Sequence, residues 1–248
     1  MIRRVLFVLI LIATVGAAQD LPLPDPPSPT ATESAKDPID DLSSPVKIVL
    51  IMTALTVLPA IVMTVTSFTR IIIVLSFVRK ALSVQEMPPN QVLVGLALFL
   101  TVVVMHPVIS EVNENALQPY LDEKITLQEA TDTGTRSLST FLRSQTQNDD
   151  LILMVDLTKV DKPETAEDAP LHVLVPAFAL SELRTAFQMG FLVYLPFLIV
   201  DLVVASVLLS MGMFMLPPVI ISTPFKILLF VLVDGWDLVV RSLVLSFQ

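Results

Sequence analysis

An all-α, membrane-associated chain is predicted, and three observations carry that expectation. Of the 248 residues, 54% are hydrophobic and only 16% are charged, against about 45–50% and about 25% in a soluble domain. The mean hydropathy is +0.77. Four apolar runs approach the roughly 20 residues a helix needs to cross a bilayer, and backbone facing lipid must satisfy its own hydrogen bonds, which makes such runs helical. The expected architecture is four long apolar helical segments plus a mainly helical polar insertion.

Residues 1–18 read as a signal peptide. Arg3 and Arg4 supply the positive start, Val5–Val15 is apolar except for Thr14, and Gly16, Ala17 and Ala18 are small enough for cleavage. Eleven apolar residues are too few to span a membrane. Residues 19–45 are rich in proline and acid and cannot bury enough surface to offset ordering entropy, so a disordered arm outside the membrane is expected.

The first apolar stretch is Ile48–Phe68, continuing past Arg70 as Ile71–Val78. The second is Val92–Ile109, interrupted by His106 and Pro107. The third runs from Phe187 to Met215 and contains Asp201. The fourth is Val219–Leu232, leading through Asp234 and Asp237 to Leu238–Leu245. Between the second and third lies a polar region, 110–172, with thirteen acids against Lys124, Arg136, Arg143, Lys159 and Lys162. Leu138, Phe141 and Leu142, spaced i, i+3, i+4, predict an amphipathic helix there. Residues 151–155 suit a strand or a helix, and 161–170 read as a loop.

Arg79 and Lys80 after the first stretch suit the cytoplasm. The acidic 110–172 region then falls outside, in the periplasm. Counting four full crossings makes the methionine-rich bend cytoplasmic and the C-terminus external.

Five charges stand inside apolar runs: Arg70, Asp201, Lys226 and the Asp234–Asp237 pair. An ionised group in hydrocarbon costs several kcal/mol, so it faces protein or water, usually with a partner. Lys226, close behind Pro224, suits either a buried pair or a helix end from which it reaches water. Asp201 has a short stem and apolar residues on both sides, which favours a buried partner. Lys226 is the nearest cation in sequence, and the bend between them would bring them, or their copies in neighbouring subunits, together.

That bend reads "MGMFMLPPV" at 211–219. Pro217 and Pro218 cannot continue a helix, and Gly212 loosens the preceding one. Met213, Phe214 and Met215 therefore fall in a non-helical loop. Methionine is unbranched and fills irregular gaps at low cost. Such side chains either fill a core and anchor the turn, or ring a pore that they close while deforming around a passing chain.

Other chemistries find little support. There is no cysteine, so no disulfide or thiolate site exists, and the net charge of −9 argues against nucleic acid. His106 and His172 are the only imidazoles, and no glycine-rich phosphate loop, HExxH or GxSxG occurs. Neither an enzyme nor a cofactor is expected. A transporter built on Asp201 would call for an inverted repeat, and the halves carry few echoes of each other.

The stretches "TSFTRIIIVLSFVRKAL", "PPNQVLVGLALFLT", "PAFALSELRTAFQMGFLVYLPFLIVDLVVASVLLSMGMFMLPP" and "PFKILLFVLVDGW" stand in order along the chain. In them the chain resembles the FliP/SctR family of type III export-gate proteins, over nearly everything from Val46 to Phe247. The resemblance implies a helical spiral of several copies, a pentamer within the gate, joined by FliQ and FliR around a channel for unfolded substrates. FlhA and FlhB are further expected neighbours. It implies a bacterial inner-membrane location in the flagellar basal body, with the assembly largely above the membrane plane and an energy source in other proteins. The apolar segments would form bent hairpins, 46–109 and 173–248, so that simple counting of crossings misleads. The family's methionine gasket falls on Met213, Phe214 and Met215, with Phe214 replacing the middle methionine and Met211 available to share the seal. The resemblance assigns Glu182, Asp201 and Lys226 to subunit contacts or gate assembly, and Arg70 is grouped with them as an intersubunit or buried charge. A signal peptide followed by a proline-acid arm resembles the flagellar branch more than the injectisome SctR branch.

Overall fold

The computed structural model describes residues 44–84, 87–158 and 169–247. The expected signal peptide, nearly all of the proline-acid arm and most of the 161–170 loop lie outside the described residues. Residues 1–49 and 50–248 form two units, and of the first only 44–49 are described, as the start of α1. Every regular element among the described residues is helical.

Helix α1 (Ser44–Val65) has side chains that are exposed wherever they are described, up to Thr64. The chain then breaks at Thr66 and Ser67. Thr69 donates its hydroxyl to the Met63 carbonyl at 2.9 Å, capping an acceptor that the broken helix leaves free. The first apolar stretch is thus divided, with a 71° bend between 55–65 and α2 (Phe68–Ala81). Helix α2 buries Ile71, Val74, Leu75 and Val78, an i, i+3, i+4, i+7 stripe. Arg79 and Lys80 close its last turn, where cations offset the helix dipole.

Helix α3 (Asn90–Val112) continues through a π-helical turn, Asn113–Leu117, into the short α4 (Gln118–Leu121). His106 and Pro107 interrupt the apolar run without ending the helix. Proline removes only its own N–H and crowds the carbonyl four residues earlier. Here that carbonyl belongs to Val103, and both Val103 and Pro107 sit on the exposed side of the helix.

Helix α5 (Leu127–Gln145) begins with a capping box: the Thr126 hydroxyl accepts from the Glu129 amide, and the Glu129 carboxylate accepts from the Thr126 amide. The i, i+3, i+4 pattern points inward as expected, with Leu142 fully buried and Leu138 and Phe141 packed beside it. Residues 151–155, open between strand and helix in sequence, belong to helix α6 (Asn148–Thr158).

Helix α7 (Leu171–Ser210) is 40 residues long and passes through Pro176 and Pro196. The fourth apolar stretch is divided into α8 (Pro218–Leu232) and α9 (Gly235–Leu245) by Val233 and a left-handed Asp234. By length and composition, 90–121 and 171–210 each reach a membrane span, and the bent pair 55–65 plus 68–81 makes a third if it counts as one.

The helices pack around two clusters. One gathers the α2 stripe with Leu93, Ala97 and Leu100 of α3, Ala186 and Phe197 of α7, and Phe230, Val239 and Leu243. The other joins Leu142, Leu151 and Val155 to Val173, Leu174, Ala177 and Phe178. Helices α2 and α7 approach so closely that a Cβ built on Gly190 would lie 2.5 Å from the Phe77 ring.

Candidate functional site

The charges inside the apolar runs meet within one chain. Arg70 on α2 reaches Glu182 on α7, donating from Nε to Oε2 at 2.9 Å and from Nη2 to Oε1. The pair is 3% and 0% exposed. Nη1 donates to the carbonyl and hydroxyl of Ser246 at 2.9 and 3.0 Å, and Nη2 also reaches the Gln145 Oε1. Phe247 lies over the guanidinium, 3.8 Å from its ring centroid. The rigid fork of the guanidinium suits this two-pronged pairing, and its remaining donors all find acceptors. One buried cation therefore ties α2, α5, α7 and the end of the chain together.

Asp201 on α7 and Lys226 on α8 form the second pair, 2.6 Å between Oδ2 and Nζ. The Ser222 hydroxyl donates to Asp201, and Nζ also donates to the Ser83 hydroxyl at 2.7 Å. Lys226 is 1% exposed and Asp201 23%. Along α7 the two pairs are 19 residues apart, about 28 Å of helix.

The methionine-rich connection joins α7 to α8 beyond the second pair. Its first residues form a Schellman motif. Gly212 takes φ +75°, its amide donates to the Leu209 carbonyl, and the Met213 amide donates to the Leu208 carbonyl. Only a residue without Cβ adopts that φ at no steric cost, so Gly212 closes α7 in a defined turn. At the other side Pro218 opens α8, where its missing N–H costs nothing. Met213, Phe214 and Met215 stand between, outside any helix. Met215 is 95% exposed and Phe214 76%.

Asp201 lies nine residues before the end of α7, and Lys226 eight residues after the start of α8. The clasp thus stands about 12–14 Å from the loop on both arms. It fixes the hairpin while leaving Phe214 and Met215 largely exposed at the tip. Such a tip offers deformable apolar surface on a rigid stem. An apolar groove of 510 Å³ between the same arms is lined by Ile199, Val203, Val207, Ile221 and Phe225, among others.

Several participants escaped the sequence reading. The Arg70–Glu182 pairing spans 112 residues, and no local pattern announces it. Ser83, Ser222, Gln145 and Ser246 look like ordinary polar residues until the fold brings them to the charges. A further buried charge, Asp150, accepts from Ser181 at 2.8 Å and pairs with Arg184 at 2.6 Å, holding α6 on α7. Neither its place at the start of a helix nor its burial follows from a sequence that leaves 151–155 open between strand and helix.

Comparison with known proteins matches residues 51–243 to the FliP family model. A flagellar biosynthetic protein FliP of Bacillus subtilis is 57% identical over 214 residues, 86% of this chain and 96% of that protein. The protein of the same name from Caulobacter vibrioides is 52% identical over 203 residues, 82% of this chain and 76% of that one. A third, from Aquifex aeolicus, is 46% identical over 210 residues, 84% and 88% of the two chains.

Proposed function

This chain belongs to the FliP family, and from that premise we propose that it is a core subunit of the flagellar type III export gate. Its place is in flagellum biogenesis and protein export. Several copies, five by the resemblance, join FliQ and FliR around a channel for unfolded flagellar substrates, next to FlhA and FlhB in the inner membrane. The 110–172 region and the N-terminal arm face the periplasm. The relatives described above all bear the flagellar name, which favours this branch over the injectisome one.

The observation that carries the reading is the free tip of the α7–α8 hairpin. A monomer gains nothing by holding Phe214 and Met215 in the open on a stem locked by a buried ion pair, because exposed apolar area of that size costs free energy in water. A ring of copies would bring these tips together into a gasket of Met213, Phe214 and Met215, with Met211 beside it. Thioether chains would fill the irregular centre at rest and yield to a passing polypeptide.

The test is electrical. The complex with FliQ and FliR, reconstituted in planar bilayers, is expected to pass little current at rest and to leak small ions once Met213 and Met215 are both replaced by alanine. Unchanged conductance in a fully assembled Met213→Ala, Met215→Ala complex would overturn the gasket.

A further inference from the structure

The 110–172 region carries two charged faces that the export-gate reading leaves unused. On α5, Arg136 and Arg143 are seven residues apart, with Ser139 and Thr140 between them on the same side. These residues and Ser144 line a polar groove of 450 Å³. On α6, Asp149 and Asp156 are also seven residues apart, with Ile152 and Leu153 between them, 56% and 44% exposed. Seven residues are nearly two helical turns, so each pair stands about 10.5 Å apart on one face.

Both faces point away from the core. Leu142 on α5, with Leu151 and Val155 on α6, occupy the buried sides. Arg143 is partly engaged, donating to the Thr146 carbonyl and to Asn148 across the α5–α6 turn. Among the described residues, Arg136, Asp149 and Asp156 make no ion pair within the chain. Two cations at one spacing and two anions at the same spacing are therefore left facing outward, in a region where acids outnumber bases thirteen to five.

We propose that the Arg136–Arg143 face of α5 docks on the Asp149–Asp156 face of α6 in a second copy of this chain. The proposal rests on the self-assembly put forward above and names the surface that performs it. A matched spacing lets both ion pairs form at once in either relative helix direction. Ser139 and Thr140 then lie over Ile152 and Leu153, which leave solvent. The two faces are different surfaces of one subunit, so the contact is heterologous. It propagates from copy to copy as a ring, or as a spiral if the rotation fails to close. A self-complementary patch would stop at a dimer.

The chain has no cysteine, so an introduced pair reports without background. In membranes co-expressing FliQ and FliR, a chain with both Thr140→Cys and Leu153→Cys is expected to give, on oxidation, a thiol-reducible ladder of this chain's multimers. Neither single variant should give the ladder. Charge reversal is the second arm. Arg136→Glu with Arg143→Glu, or Asp149→Arg with Asp156→Arg, should each lower self-association about tenfold, since two ion pairs become two repulsions. All four changes in one chain should restore it. A normally sized assembly with no ladder and no response to reversal would overturn this surface while leaving self-assembly intact. A ladder joining the chain to some other protein would overturn the second copy as the occupant. A wild-type chain that stays monomeric in the same membranes would overturn the self-assembly on which both rest.

Discussion

Replacing Glu182 by glutamine tests what holds the helices together. The substitution keeps the side chain's size and one acceptor oxygen but removes the charge facing Arg70. The guanidinium is 3% exposed and has no route to water. Its bonds to Ser246 and Gln145 remain, yet none of those acceptors carries a negative charge. Breaking a buried pair by removing one partner costs about 3–5 kcal/mol, because the other charge stays behind uncompensated. That is a large share of the roughly 5–15 kcal/mol by which a folded protein is stable. Replacing both residues by apolar ones of similar volume should be far milder, since neither charge is then stranded. Thermal unfolding of the detergent-solubilised chain would measure both. Glu182→Gln should unfold well below wild type, and an Arg70→Met, Glu182→Met double variant should recover most of the loss. A Glu182→Gln protein as stable as wild type, or a double variant worse than either single one, would refute the reasoning.

The second clasp should respond asymmetrically. Lys226 is almost fully buried and Asp201 is partly exposed, so Asp201→Asn strands a buried cation and should damage assembly more than Lys226→Met. Exchanging the two residues should restore part of the assembly, measured as recovery of the complex with FliQ and FliR, and purely additive damage would argue against direct pairing. Gly190→Ala should lower stability by about 1–3 kcal/mol through overpacking, because the new Cβ meets the ring and the Cβ of Phe77. Gly95→Ala, with nothing within 4 Å, should be neutral or mildly stabilising in the same melts. Hydrogen bonds from Thr126, backbone first and then side chain, hold the Glu129 carboxyl below its ordinary 4.5. Its contribution to the start of α5 is therefore complete above that value and is lost as pH falls through the depressed one. Hydrogen exchange in the first turn of α5 should be steady from pH 8 to 5 and lose protection only under stronger acid. Loss of protection already near neutrality would contradict the capping box.

What was legible in the sequence follows from how local each signal is. Leu138, Phe141 and Leu142 announce the buried face of α5 because helical spacing alone puts them there. Pro217, Pro218 and Gly212 announce the loop because backbone rules act on single residues. The Asp201–Lys226 pair was within reach, since 25 residues with one turn between them leave few alternatives. Arg70 was recognisable as a misplaced charge and Glu182 was singled out only by the family resemblance, but only the packing of α2 on α7 makes them partners. Pro107, Pro176 and Pro196 all lie inside continuous helices, because a single proline removes only one backbone hydrogen bond from a long helix. The bend at Thr66 and Ser67 was missed because two small polar residues do not by themselves end an apolar helix, and the turn arises where α2 is drawn into the core.

Imaging the particle formed with FliQ and FliR is the most direct measurement of the seal. Density for residues 213–215 from successive copies, converging on a central axis and closing it, is the expected result. Those residues packed against lipid, or lying away from any axis shared by the copies, would contradict it.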